Sequence, residues 1–236
     1  MPDTHYDTPH GRLRGYLATP SGEGPWPGVV VIHEAFGLVD DMRHEADRFA
    51  EHGYVAFAPD LYSYGLAPKC LVATMRTLVS GGGGRALDDI DAARKLLVDR
   101  DDCTGKVGII GFCMGGGFAI LCARRGFDAS APNYGMVPKN VEEVLAGACP
   151  VVASYGAKDR GFKGAAAKLE RALAANNVEH DVKEYAEAGH SFLTNQTGRW
   201  AFVARVPGFG HVEAAAEDAW SRVFAFFGKH LAESGK

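Results

Sequence analysis

The chain has 236 residues, 47% hydrophobic and 10% aromatic, enough for a sizeable buried core. Its 25 Lys and Arg against 29 Asp and Glu leave a net charge of -4 with the basic residues scattered, so neither nucleic acid nor a membrane surface is expected as a partner. No apolar run approaches a bilayer span, the polar stretch from Met1 to Gly15 lacks the apolar core of a leader, and the cysteine usage suits a reducing compartment, so the expectation is a cytoplasmic protein.

In chain order, Gly11 to Ala18 reads as an edge strand, and Ser21 to Pro27 as a Gly/Pro-rich turn. Gly28 to Ile32 is a continuous apolar run, as in a strand buried on both faces. Met42 to His52 carries Met42, Ala46, Phe49 and Ala50 at helical spacing, and Gly53 suits the stop. Tyr54 to Ala58 is the next strand, ended by Pro59. The path of the segment from Tyr62 to Gly84 does not follow from its sequence, and its Gly81 to Gly84 run reads as a flexible loop before a helix. That helix is Ala86 to Val98, with Leu87, Ile90 and Leu97 on one face. Val107 to Ile110 is a strand and Met114 to Arg124 a buried helix. Ala129 to Tyr134 and Val151 to Tyr155 are strands, Ala165 to Ala175 is a helix, His180 to Tyr185 is a strand, and Ala214 to His230 is the closing helix. Without internal repeat or linker, this alternation predicts a single α/β domain over residues 1–236: a mainly parallel sheet flanked by helices on both faces. In such sheets ligands bind beyond the carboxyl ends of the strands.

Lys106 to Gly117 reads KVGIIGFCMGGG: an apolar strand, a Gly-x-Cys-x-Gly turn, and a helix that opens on more glycine. This is the strand–elbow–helix setting of a nucleophile, with Cys113 at its centre. The sharp turn strains its central residue, and glycines let strand and helix approach closely around it. The sulfur then stands at a helix amino end, where the dipole and free N–H groups favour a thiolate and later an oxyanion. A dinucleotide-binding turn needs Gly-x-Gly-x-x-Gly, and the second glycine is missing; no Gly-Lys-Ser/Thr follows for a P-loop.

A cysteine nucleophile needs a base, and the base needs a partner that fixes its tautomer. With such an elbow the chain order is nucleophile, acid, histidine. Asp159 follows the strand at Val151 in GAKDRGF, and His190 follows the strand at His180 in EAGHSF. Of the other histidines outside His33, His5, His10 and His230 are near the ends, His44 and His52 lie on a helix, and His180 starts a strand. His211, in a late Gly-rich loop, is the strongest competitor to His190.

His33-Glu34-Ala35-Phe36-Gly37 follows the first buried strand, where such folds take one oxyanion N–H; the other comes from the residue after the nucleophile. The donors are therefore Ala35 and Met114, and Glu34 falls near the sulfur. Neither His33-Glu34 nor His44-Glu45 continues to H-E-x-x-H, so no metal is expected. The five cysteines, at 70, 103, 113, 122 and 149, are odd in number and form no C-x-x-C, so neither a disulfide framework nor a zinc cage is indicated.

With these residues placed, the chain resembles the dienelactone hydrolases (carboxymethylenebutenolidases and relatives) of the α/β-hydrolase superfamily. The resemblance runs over nearly the whole length, in VVVIHEAFGL, AFAPDLY, KVGIIGFCMGG, SYGAKD and AGHSF. It implies an α/β-hydrolase fold and a triad of Cys113, Asp159 and His190. It implies that Glu34 contacts the resting thiol and moves when substrate binds, releasing a thiolate. The implied reaction is attack on a lactone carbonyl, an acyl-enzyme stabilised by the Ala35 and Met114 N–H groups, then hydrolysis, with no cofactor. The family's type enzyme grips a substrate carboxylate with arginines, one of them four residues past the histidine; that place is Thr194 here. Arg76 and Arg199 are the candidate replacements, with Tyr134 and Phe192 as further pocket candidates. The segment Arg160 to Gly164 also lacks a proline common in relatives.

The expectation is a hydrolase of a small ester or lactone, acting as a monomer or small homo-oligomer. A thioesterase or general carboxylesterase with the same triad remains an alternative. A non-catalytic binding or redox-sensing protein, in which Cys113 is reversibly oxidised, is the alternative from another class.

Overall fold

The computed structural model describes residues 3–195, 206 and 208–232. Among them the elements run β1 (Asp3–Thr8), β2 (Gly11–Ala18), β3 (Trp26–Ile32), α1 (Asp40–Glu51), β4 (Val55–Pro59), α2 (Ala67–Ser80), α3 (Arg85–Val98), β5 (Cys103–Phe112) and α4 (Met114–Cys122). They continue with β6 (Ala129–Asn133), the short α5 (Val141–Val144), β7 (Val151–Gly156), α6 (Ala165–Ala175), β8 (His180–Tyr185) and α7 (Glu213–Leu231). The strands form one sheet in the order β1-β2-β4-β3-β5-β6-β7-β8. β1, β2 and β4 pair antiparallel; from β4 to β8 every pairing is parallel. This is the α/β-hydrolase architecture.

The period of two along a strand explains why the central strands are apolar throughout. In β3, Val30 and Ile32 join a core with Ile90 and Leu97 of α3, Phe118 of α4 and Leu169 of α6. Val29 and Val31 face the other way, into a core with Met42, Ala46 and Phe49 of α1 and Trp220, Val223 and Phe227 of α7. Each layer removes large side chains from water at roughly 1.5–3 kcal/mol apiece. The parallel pairing brings the carboxyl ends of β3, β5, β7 and β8 to one rim of the sheet.

Several parts of the fold differ from the sequence reading. β1 was not expected, because DTHYDT is polar and only Tyr6 of it is buried; it pairs along β2, which therefore is not the outermost strand. α2 lies within the unread segment, where Cys70, Thr74 and Leu78 make a buried stripe too short and too polar to stand out. The glycine run is the joint between two helices: Gly81 caps α2 in the left-handed region at φ 70°, and Gly84 is the N-cap of α3. Finally, β3 starts at Trp26 and β5 at Cys103, each earlier than its apolar run, because backbone pairing does not need apolar side chains.

Candidate active site

The loops after β3, β5, β7 and β8 line one cavity of about 380 Å³. Its walls include Ala35 and Phe36, Cys113, Lys158 to Phe162, His190 and Ser191, and Gly208 and Phe209.

Cys113 stands between β5 and α4 with φ 54° and ψ -113°, a region costing a non-glycine residue on the order of 1–3 kcal/mol. The strain is held by packing. A Cβ on Gly111 would lie 2.0 Å from the Gly115 carbonyl oxygen, and one on Gly115 would lie 2.2 Å from the Ile32 oxygen. Only glycine lets β5, α4 and β3 meet this closely. The Cys113 N–H is also tied to the Asn133 carbonyl at 3.1 Å. Met114 is the first residue of α4, so its N–H has no acceptor within the helix.

Asp159 follows β7 and is 6% exposed. Its Oδ1 accepts the Gly161 N–H at 3.0 Å, capping a single 3-10 turn at Arg160–Phe162. Its Oδ2 lies 2.6 Å from His190 Nδ1. The turn-capping role usual for a loop aspartate therefore also aims its second oxygen at the imidazole. His190, past β8, is locked on both sides: its N–H donates to the Gly208 carbonyl at 2.6 Å, and its carbonyl accepts from the Gly210 N–H at 3.0 Å. Phe162 stacks near its ring at 5.4 Å, and Phe209 and Tyr134 approach at 5.1 Å.

Burial works against an imidazolium at His190, but hydrogen bonds to Asp159 and Cys113, and their negative charge, outweigh it and push the ring up to about 10. Asp159 is hydrogen-bonded to His190, and His190 and Cys113 line the same cavity. A histidine oriented in this way, beside a cysteine on the same cavity wall, can take a proton from sulfur and later give it to a leaving group.

Glu34 is 3% exposed. Its Oε1 accepts hydroxyl donors from Ser191 at 3.1 Å, Thr194 at 3.2 Å and Tyr134 at 3.4 Å. The loop carrying it is braced by two side chains. His33 lies 2.7 Å by Nδ1 from the Glu34 carbonyl oxygen, and its Nε2 accepts the Leu61 N–H at 3.2 Å. Tyr62 donates its phenol proton to the Ala35 carbonyl at 3.1 Å, with Met114 Sδ 3.4 Å away.

A model of the dienelactone hydrolase family matches residues 13–231. The chain belongs to the dienelactone hydrolase family. Its similarity to the protein usf of Aquifex pyrophilus is 31% identity over 93% of this chain and 94% of that one. A Yersinia pestis protein named as a candidate carboxymethylenebutenolidase is 30% identical over 92% of this chain and 84% of its own length. Among solved structures, a metagenomic dienelactone hydrolase-like promiscuous phosphotriesterase superposes with a TM-score of 0.79 at 25% identity, covering 98% of both chains.

Of the substrate-binding candidates, several side chains lie away from the cavity at Cys113. Arg76 does not line the cavity at Cys113; it lines another, with Thr77, Gly84 and Arg85, because α2 carries it to that side. Tyr134 and Phe192 are fully buried and pack on each other at 5.7 Å, behind the cavity wall. Both rings sit in the core shared with Phe112, Tyr185 and Trp220. Thr194, at the family's arginine place, is buried and spends its hydroxyl on Glu34. Arg199 lies outside the described residues. His211 lines a separate surface groove with Arg48, His52 and Trp220.

The sequence reading missed Phe162 and Phe209 as walls, Ser191 as a partner of Glu34, and Tyr62 and the bracing role of His33. His33 was weighed only for metal spacing, and its partner Leu61 is too distant in sequence to signal the link. Among the described residues no group of three or more His, Cys, Asp or Glu gathers as metal ligands would, and no helix is long and apolar enough to cross a membrane.

Proposed function

We propose that this member of a hydrolase family cleaves a small ester or lactone, with Cys113 as nucleophile. The observation that carries the reading is the 2.6 Å contact between Asp159 Oδ2 and His190 Nδ1, with His190 and the strained elbow at Cys113 lining one cavity. The Cys113 thiolate attacks the carbonyl carbon, and the oxyanion is received by the N–H groups of Ala35 and Met114. Collapse breaks the C–O bond, and His190 gives its proton to the leaving alkoxide. Neutral His190 then takes a proton from water, the hydroxide attacks the thioester, and the acid leaves with Cys113 restored. Asp159 holds the imidazole in the tautomer this cycle needs. Glu34, held by three hydroxyls, sets the electrostatics beside the sulfur, and its release would require breaking those bonds.

Cavity size and the Phe36, Phe162 and Phe209 walls favour a compact, largely apolar substrate. With Thr194 committed to Glu34, an acidic substituent would meet Lys158 and Arg160 at the wall instead.

The test is mass spectrometry after rapid quench with p-nitrophenyl acetate, alongside turnover of lactone, ester and thioester panels. An acetyl adduct on Cys113, and its loss in Cys113→Ala, are expected. Full turnover by a folded Cys113→Ala would reject the proposal.

A further inference from the structure

We infer that His33, with Tyr62, is a positioning residue that aims and polarises the peptide N–H of Ala35 at the reacting carbonyl oxygen. The inference rests on the oxyanion role proposed for Ala35.

The argument starts from the peptide unit itself. The Glu34 carbonyl and the Ala35 N–H belong to one planar group, so whatever fixes the oxygen also fixes the direction of the N–H. His33 Nδ1 lies 2.7 Å from that oxygen. The Gly37 N–H reaches the same oxygen at 3.2 Å, closing a turn over Ala35 and Phe36. On the next peptide, Tyr62 donates to the Ala35 carbonyl at 3.1 Å. The two carbonyls flanking Ala35 are therefore both clamped from the protein side, while Ala35 itself lines the cavity beside Cys113.

The ring's protonation follows from its partners. Nε2 faces the Leu61 N–H and must accept; Nδ1 faces a carbonyl oxygen and must donate. His33 is thus the neutral tautomer with its proton on Nδ1. It is fully buried, and burial lowers its tendency to protonate. A protonated ring would set two donors, Nε2–H and Leu61 N–H, against each other. Tyr62 packs edge-on to the imidazole at 4.8 Å, so the two clamps support each other. A hydrogen bond accepted by an amide carbonyl strengthens the same amide's N–H as a donor, by roughly 10–30% per bond. The clamp therefore acts on strength as well as direction.

The test uses side chains that separate the two halves of the ring. His33→Gln places an amide near Nε2, so it can keep Leu61 but loses the donor to Glu34. His33→Asn places its amide N–H near Nδ1 and keeps that donor. With p-nitrophenyl acetate, His33→Gln is expected to lose roughly 10- to 100-fold in kcat with KM little changed, since a whole oxyanion donor is worth roughly 10²–10³. His33→Asn should recover most of that loss. Tyr62→Phe, which keeps the ring against His33, should lose roughly 3- to 10-fold, and it tests the clamp even if His33→Gln does not fold. Alkylation of Cys113 by iodoacetamide forms no oxyanion, so its rate should be unchanged in all three.

Wild-type turnover by both His33→Gln and Tyr62→Phe, with Cys113→Ala inactive, would overturn this inference alone. So would a parallel fall of alkylation and turnover, which would mean the nucleophile itself had been disturbed. Turnover surviving in Cys113→Ala would instead remove the reading on which the inference rests.

Discussion

Asp159 and Glu45 are equally hidden, each 6% exposed, yet the two sides of the site treat a buried carboxyl in opposite ways. On the cavity side, Asp159 places one oxygen on the His190 ring and the other on a backbone N–H. Behind it, on α1, Glu45 Oε2 has no hydrogen-bond partner among the described residues, with Arg48 3.5 Å away. Burial pushes Glu45 up to about 7; Arg48 opposes this, and the charges of Glu34 and Asp41 add to it. Depth alone does not decide how a carboxyl behaves; the groups aimed at it do. Glu34 lies between the two cases, its charge met by hydroxyls.

The comparison breaks first at the nucleophile. If the cavity side is where the chemistry resides, Cys113→Ala should cost at least ~10⁴-fold in ester turnover while the fold is kept. Circular dichroism beside the kinetics checks both, and a loss under tenfold would be the wrong answer. Next, Asp159→Asn keeps the shape but removes the charge that His190 depends on. Turnover should fall roughly 10²–10⁴-fold, and the imidazolium should titrate well below 10, as read by NMR of the ring. A ring that titrates unchanged would mean Asp159 does not hold it.

The rear side is probed by stability. In the folded protein Glu45 holds its proton up to about pH 7, against an ordinary value of 4.5. Its contribution is therefore fully present below pH 4.5, is lost as pH rises through 7, and stays lost above. Glu45→Gln should leave thermal stability near pH 4 almost unchanged and raise it at pH 8 by on the order of 1–3 kcal/mol, a shift of several degrees. Equal melting shifts at both pH values would contradict this. The smallest effect is expected from Thr194→Val, which deletes one of the hydroxyls on Glu34. Denaturant melts should show a loss of about 1 kcal/mol, with turnover moved less than tenfold. An unchanged midpoint would show that this hydroxyl holds nothing.

How much of this was legible beforehand depended on the range of the interaction. The alternation of apolar runs and helical stripes was enough for the α/β class and for most strands and helices, because burial on a sheet face or helix stripe is written in periods of two and 3.6; the family was legible in the resemblance of short motifs such as KVGIIGFCMGG and AGHSF. The elbow was legible too, since Gly111, Cys113 and Gly115 are neighbours whose crowding is local. Three-dimensional packing decided the rest. It placed Asp159 Oδ2 on an imidazole 31 residues later, turned Tyr134 and Phe192 into the core, carried Arg76 to another cavity, and set Thr194 on Glu34. It also gave His33 a partner 28 residues away. A chain's periodicity reports which side of an element is buried; which side chains then meet is a property of how the elements pack, and no local pattern encodes it.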